Sequence, residues 1–285
     1  MKIKIFSDFL DPEKFKDLVE KICETEIMPN YGKYKDYYIT SDDDYTHAII
    51  INKEMPELNI PKKNVIGLAF EPVEFLYLTQ DFINYAQHNI GKYFIGDKLN
   101  LPEPFIEHYA YMTYIKPPLN YIPIKIKKMS FIFSKKMSAP GHGYRHMLVN
   151  SILNSNLPID IYGRGCEFYS QYKDPRIKGE FTEENIKICY ENYKYHICIE
   201  NFQSNHYISE KLINPLIYGT IPIYLGCKQY DYYFPNMIIP LNNNVKLDMQ
   251  LLTHIFNEGI EKKIDIEFVK NKVNFVKNII SLFNN

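Results

Sequence analysis

The chain predicts an α/β fold of two units, each a parallel sheet with helices on both faces. Short β-branched runs alternate with segments of helical period along the chain, and a proline-rich stretch interrupts that alternation once. A length of 285 residues also exceeds one ordinary domain and falls short of three.

MKIKIF opens as a strand, and residues 11–26 then place Phe15, Leu18, Val19 and Ile22 at helical spacing, with Asp11 as the candidate cap. THAIIINK (46–53), NVIGLAFE (64–71) and KYFIGD (92–97) read as buried parallel strands. YIKPPLNYIP (114–123) holds three prolines in ten residues, which disfavours both a helix and a central strand, and is assigned as the interdomain linker. Beyond it, 128–134, 159–163, 196–201 and 221–226 read as strands, while 144–155, 182–193 and 209–219 read as helices. The tail 267–283 has apolar residues at three- and four-residue steps and reads as one closing amphipathic helix. The expected division is 1–120, 121–265 and a closing helix at 266–285.

The composition, 46% hydrophobic and 24% charged, is that of an ordinary globular protein. A net charge of −1 gives no global field toward nucleic acid or an anionic membrane, so any anion site has to be local. Cys23, Cys166, Cys189, Cys198 and Cys227 are odd in number and form no C-x-x-C pair, which argues against a disulfide framework or a zinc site and for a reducing compartment. Asp8 interrupts the N-terminus before a signal-type apolar core could form, and no run approaches the roughly 18 apolar residues of a membrane span. The expected location is cytoplasmic, with peripheral attachment at most; for a viral source it would be the host cytoplasm or the virion.

A nucleoside diphosphate, one class of ligand that doubly wound folds take, needs a place for base and ribose and positive charge for its phosphates. In open α/β sheets ligands bind beyond the carboxyl ends of strands, where helix N-termini favour phosphate. Lys211 occupies the first turn of a helix that follows the strand HICIEN, a suitable position for an ammonium group meeting a diphosphate. Glu210 beside it can accept hydrogen bonds from two ribose hydroxyls. As a bare dipeptide the pair also fits a solvated first turn.

The wider pattern separates these readings. Residues 200 to 226 resemble the signature of the α-1,3-fucosyltransferases, glycosyltransferase family 10: E-N-S, a spacer, Y-(V/I)-(T/S)-E-K, a helix, then G-x-(I/V)-P-(I/V)-x-x-G. Glu200, Asn201, Tyr207, Ile208, Ser209, Glu210, Lys211, Gly219, Pro222 and Gly226 match in register, and Phe202 departs from the usual serine. IDIYGRG (159–165) is similar to the family's V-D-V-Y-G-x-G, and Arg145 resembles its arginine at the start of a helix. The resemblance covers about residues 128 to 240. It implies a GT-B fold, two Rossmann-like domains with parallel sheets facing a cleft, the N-terminal one on the acceptor side and the C-terminal one holding GDP-fucose. It further implies that Lys211 and Arg145 neutralise the diphosphate, Glu210 binds the ribose, Tyr207 packs on the base, and Asn201 bonds the nucleotide or its loop. The cysteine pair and membrane anchor of Golgi members are missing, so the chain is similar to the soluble bacterial or viral type.

The catalytic base is expected from the N-terminal half, where NVIGLAFEPVEF offers Glu71, at the end of a strand, ahead of Glu74. A single in-line displacement would invert the anomeric centre. The acidic run SDDDY (41–45) precedes a strand instead of ending one and reads as a polar loop. His142 and His146 have the i, i+4 spacing of a zinc pair but no third ligand, so no tightly bound metal or other cofactor is expected, a divalent ion stimulating at most. The expected function is an inverting fucosyltransferase acting on an acceptor glycan. The alternatives are the same fold with another nucleotide-activated deoxysugar, and a non-catalytic nucleotide- or glycan-binding protein.

Overall fold

The computed structural model describes residues 1–25, 33, 34, 37–109, 121 and 123–284. The chain forms two compact units: residues 1–118, 204–209 and 270–285 make the first, and residues 119–203 and 210–269 the second. Neither is one continuous stretch, which differs from the contiguous spans 1–120, 121–265 and 266–285. The linker expected at 114–123 lies outside the described residues except at Tyr121 and Pro123.

In the first unit β1 (Lys2–Ser7), α1 (Pro12–Thr25), β2 (Lys33–Tyr34), β3 (Tyr37–Thr40), β4 (His47–Ile51), β5 (Val65–Leu68), α2 (Val73–Leu76), α3 (Gln80–Asn89), β6 (Lys92–Ile95) and β7 (Phe105–Glu107) follow in order. They build a sheet in the order β2-β3-β1-β4-β5-β6-β7, parallel throughout except for the β2–β3 pair. The run Ala48–Ile51 is fully buried because helices cover both faces of a parallel sheet. Asp11 caps α1 by accepting from the Lys14 amide at 3.0 Å, and Phe15 and Val19 turn inward from that helix. Phe275 and Leu282, from the last helix of the chain, complete the same core.

The second unit runs β8 (Lys127–Ile132), α4 (Pro140–Leu153), β9 (Ile159–Tyr162), β10 (Ile177–Gly179), β11 (Tyr193–Ile199), α5 (Glu210–Ile217), β12 (Ile221–Leu225), α6 (Tyr230–Tyr233), β13 (Ile239–Pro240) and α7 (Val245–Asn257). Its sheet, β10-β9-β8-β11-β12-β13, is wholly parallel and has the doubly wound order 3-2-1-4-5-6. Tyr144 of α4 donates its hydroxyl to the fully buried Asp248, which also accepts from the Asn242 amide at 2.7 Å. That carboxylate ties α4 to the start of α7.

Two expected elements differ. Residues 182–193 form only a short 3-10 turn over Glu183–Cys189. The carbonyls of Tyr190 and Glu191 accept from the Lys125 ammonium, and Tyr190 and Tyr193 pack among Tyr162, Cys189 and Tyr218, so the chain is already extended where a helix would continue. The tail is not one helix but two, α8 (Ile266–Lys272) and α9 (Phe275–Asn284). Val273, Asn274 and Phe275 are buried in succession, which no single helical stripe allows, and the Asn278 side chain takes the Lys272 carbonyl at 2.7 Å where a continuing helix would have used its own amide.

Candidate functional site

The strand order of the second unit reverses between β8 and β11, and chains leaving neighbouring strands at such a point diverge to leave room for a ligand beyond their carboxyl ends. β8 leads through residues 133–139 into α4, and β11 leads through Glu200 and Asn201 toward α5. The two exits are stitched together. The Gly141 amide donates to the Asn201 carbonyl at 2.9 Å, and a β-carbon at Gly141 would overlap the Glu200 carbonyl, so only glycine lets α4 start this close to β11. Gly226, just past β12, likewise makes room for the Glu200 side chain.

Arg145, buried on the first turns of α4, donates from Nε to the Ile199 carbonyl at 3.0 Å and from Nη2 to Asn201 Oδ1 at 2.9 Å. Burial lowers its pKa, partly offset by the carboxylates of Glu200 and Glu210, yet a guanidinium remains a cation. Lys211, in the first turn of α5, has its ammonium 3.0 Å from Glu210 Oε1 and 3.6 Å from Glu200 Oε2. Burial alone would depress its pKa, but the two carboxylates outweigh that and hold it above the ordinary lysine value. The Glu200 side chain is fully buried while the Glu210 side chain is 54% exposed, so the ammonium lies between one carboxylate inside the protein and one at its surface.

Arg145, Asn201, Glu210 and Lys211 therefore come together in the second unit, at its switch point. Tyr207 and Glu71 belong to the first. Tyr207 lies in the segment 204–209 and is 5% exposed; its amide donates to Ser204 Oγ at 2.7 Å, and its backbone packs on Gly96, where a β-carbon would come within 2.8 Å of the Tyr207 β-carbon. Glu71 is exposed, three residues beyond β5. The loop that carries it is pinned by the Phe70 amide donating to Asn52 Oδ1 at 2.9 Å, with Asn52 Nδ2 donating in turn to Asp8 Oδ1 at 2.9 Å. Glu74 is exposed in the first turn of α2.

Two residues of this region had no assigned role in the sequence. Glu200 matches the motif without a role attached, although an acid ending an apolar strand is the signal that singles it out. His142 is buried on the first turn of α4, and burial together with Arg145, Lys136 and Lys211 lowers its pKa to about 4. His146 does not join it as a ligand pair: its ring lies between Phe133 and Phe168, at 5.3 and 5.7 Å. Among the described residues no group of three His, Cys, Asp or Glu could hold a metal ion. In the acidic run Asp43 pairs with Lys4 at 2.8 Å and Asp44 with Lys2. No helix among the described residues is long and apolar enough to cross a membrane.

Residues 122–248 match the family model described as glycosyltransferase family 10 (fucosyltransferase), C-terminal. Alpha-(1,3)-fucosyltransferase B of Drosophila melanogaster is 31% identical over 126 residues, 43% of this chain and 28% of that protein. The putative fucosyltransferase R654 of Acanthamoeba polyphaga mimivirus is 28% identical over 214 residues, 67% of this chain and 34% of that protein. This chain thus spans about a third of the length of these curated relatives. Among solved structures, an α1,3-fucosyltransferase crystallised with GDP aligns over all of this chain and 89% of its own, with TM-score 0.54 and 13% identity. An α-glucosyltransferase in complex with UDP and a mismatched 13-mer DNA aligns over all of this chain and 99% of its own, with TM-score 0.51 and 9% identity. At these identities the likeness is one of fold: the chain has the GT-B type, two Rossmann-like domains with parallel sheets.

Proposed function

With residues 122–248 forming a family 10 glycosyltransferase C-terminal domain, we propose that this chain is an inverting glycosyltransferase that moves fucose from GDP-fucose to a hydroxyl of an acceptor glycan. The observation that carries the reading is Lys211, an ammonium held between a buried and an open carboxylate on the first turn of a helix at the sheet's switch point. A departing nucleoside diphosphate gathers negative charge as the glycosidic bond breaks, and cations fixed in advance stabilise that charge without reorganising. Lys211 meets the diphosphate directly. Arg145 commits Nε and Nη2 to the protein, so it acts through its field and through Nη1. Glu210 accepts from the ribose hydroxyls, Tyr207 packs on the base, and Asn201 bonds the nucleotide or its loop.

The acceptor oxygen attacks the anomeric carbon, the bond to the diphosphate oxygen breaks with its electron pair leaving on the diphosphate, and the hydroxyl proton passes to Glu71. One displacement inverts the configuration. The two cations supply the charge that a divalent ion would otherwise bring, so the reaction needs no resident metal. The odd number and irregular spacing of the five cysteines support a reducing, cytoplasmic setting for this reading.

Thermal-shift titration with GDP, UDP and dTDP tests the donor. GDP at a hundred times its dissociation constant should stabilise the protein by about 2.7 kcal/mol. The fucose reading fails if GDP gives no shift. Glu71→Gln should lower turnover of GDP-fucose by about 10²- to 10⁴-fold while GDP affinity stays within about twofold. Equal turnover by wild type and variant would remove Glu71 as the base.

A further inference from the structure

We propose that Glu200 is a positioning residue for the donor site: its buried carboxylate is the fixed counter-charge that keeps the Lys211 ammonium charged and aimed while Glu210 is engaged by the ribose. The inference rests on the donor reading above and gives a part to a residue that has none in it.

The place of this carboxylate is built from three sides. Glu200 follows the apolar run of β11, and its amide donates to the Leu225 carbonyl at 2.8 Å, which carries the pairing of β11 with β12 one residue further. Its own carbonyl lies against Gly141, where a β-carbon would overlap it, so the start of α4 closes over the same residue. Past β12, a β-carbon at Gly226 would overlap both Glu200 Cγ and the Tyr224 hydroxyl, so the missing side chain there is what admits the acid. The Tyr224 hydroxyl is itself fixed, accepting from the Cys227 amide at 2.9 Å. In this place the Glu200 side chain is 0% exposed, and its Oε2 lies 3.6 Å from Lys211 Nζ. A carboxylate withdrawn from water is tolerated where a cation meets it, and Lys211 is that cation.

The two carboxylates beside the ammonium act unequally. Glu210 is exposed, so solvent screens its pull, and in the donor complex its oxygens are shared with the ribose hydroxyls. Glu200 is closed to solvent, and attraction between charges at about 4 Å is roughly fourfold larger in a protein-like medium than in water. The groups acting on the ammonium are Glu210 on its own helix, Glu200 at the exit of β11 and Arg145 on α4, with His142 of α4 feeling the same cations. Tyr224 of β12 and Cys198 of β11 feel the charge of Glu200. Burial and Arg145 both oppose protonation of Lys211, so without Glu200 the balance moves toward the neutral amine. A neutral amine would meet the diphosphate with a lone pair in place of a charge.

Calorimetry with GDP in buffers of different ionisation enthalpy counts the protons that binding takes up. Relative to wild type, Glu200→Gln should take up at least about half a proton more near pH 9, and its affinity should fall about a further threefold between about pH 7.5 and pH 9. In a Lys211→Met background the same substitution should add no uptake, because the group that titrates is gone. A merely structural loss would weaken binding equally at both pH values and take up no proton. Should Glu200→Gln fail to fold, Glu200→Asp, which draws the charge back by one methylene, should give the same signs at smaller size. The inference is overturned if the variant matches the proton count and pH profile of wild type, or if the extra uptake survives beside Lys211→Met. If wild type binds no nucleoside diphosphate, the donor reading falls, and acylation of the Lys211 side chain, which only the uncharged amine undergoes, decides the role of Glu200 by itself. It should be faster in Glu200→Gln than in wild type, and equal rates would overturn the inference.

Discussion

At the level of single residues, the two cations of the site differ in what their loss should do. Lys211 has a side chain 27% exposed and an open carboxylate neighbour, so it can reach a ligand, whereas Arg145 holds the β11 exit together from inside. Lys211→Met should therefore weaken GDP binding by about 10- to 100-fold, the scale of one charge-assisted hydrogen bond, with a smaller loss of melting temperature than at Arg145 because the buried Glu200 loses one cation. Arg145→Met should cost both binding and stability, because the Ile199 carbonyl and Asn201 Oδ1 lose their donor inside the protein. Calorimetry beside thermal denaturation separates the two, and equal melting losses would contradict the division. Glu210, Lys211 and Arg145 could be picked from the sequence because a motif spaces them; their gathering in one unit is a property of the sheet order. Glu71 follows a strand of the N-terminal half, so its place in the first unit is legible; Tyr207 is equally legible as a letter, but the body it joins is not. A contact made by a spacer such as 204–209 depends on partners far away in sequence, here Gly96 and Asp97, with Asp97 Oδ1 accepting from the Asn205 amide at 2.8 Å.

Elements were legible in proportion to how buried and how long they are. β1, β4, β5, β8, β9, β11 and β12 announce themselves as apolar runs because they lie in or near the middle of their sheets. The edge strands β7, β10 and β13 have two or three residues each, too few for a period to appear. Helix α3 leaves little trace in the sequence: Phe82 and Ala86 are its buried residues, and a stripe this narrow resembles a polar loop. The start of α4 depends on a feature that pattern reading does not reveal: the approach of Gly141 to the carbonyl of Glu200. Gly141→Ala should force α4 away from β11 and cost roughly 1–3 kcal/mol in urea unfolding, an overpacking penalty, with a parallel loss of GDP affinity. Gly143 has open space around it, so Gly143→Ala on the same helix should be neutral or slightly stabilising, and a similar loss at both positions would refute the packing argument.

For the molecule as a whole, acidity should act through buried imidazoles. His196 is buried in β11 with Nδ1 2.8 Å from Ser130 Oγ, and burial holds its pKa at about 3, while His142 sits at about 4. Both values lie below that of an unfolded histidine, near 6.5. The unfolded chain therefore takes up protons that the native one refuses, so stability is complete above about pH 6.5 and falls as pH drops toward 4, by up to about 1.4 kcal/mol per pH unit for each histidine. The urea midpoint should decline between pH 7 and 5; a flat profile would mean that these rings are not held neutral. Deletion of residues 270–285 makes a second prediction at this scale. Phe275 and Leu282 pack with Phe15 and Phe70, so removing them should expose the first unit to limited proteolysis while the fragment from the second persists. Even cleavage of both units would count against it.

The first unit is closed by its last piece of chain. A ribosome delivers residues 1–118 early, but the segments 204–209 and 270–285 that belong with them emerge only after most of the second unit has been made. During translation the nascent N-terminal half must wait with the apolar surface meant for Phe275 and Leu282 uncovered, a period in which it needs shelter from its neighbours. The half that is synthesised first is completed last.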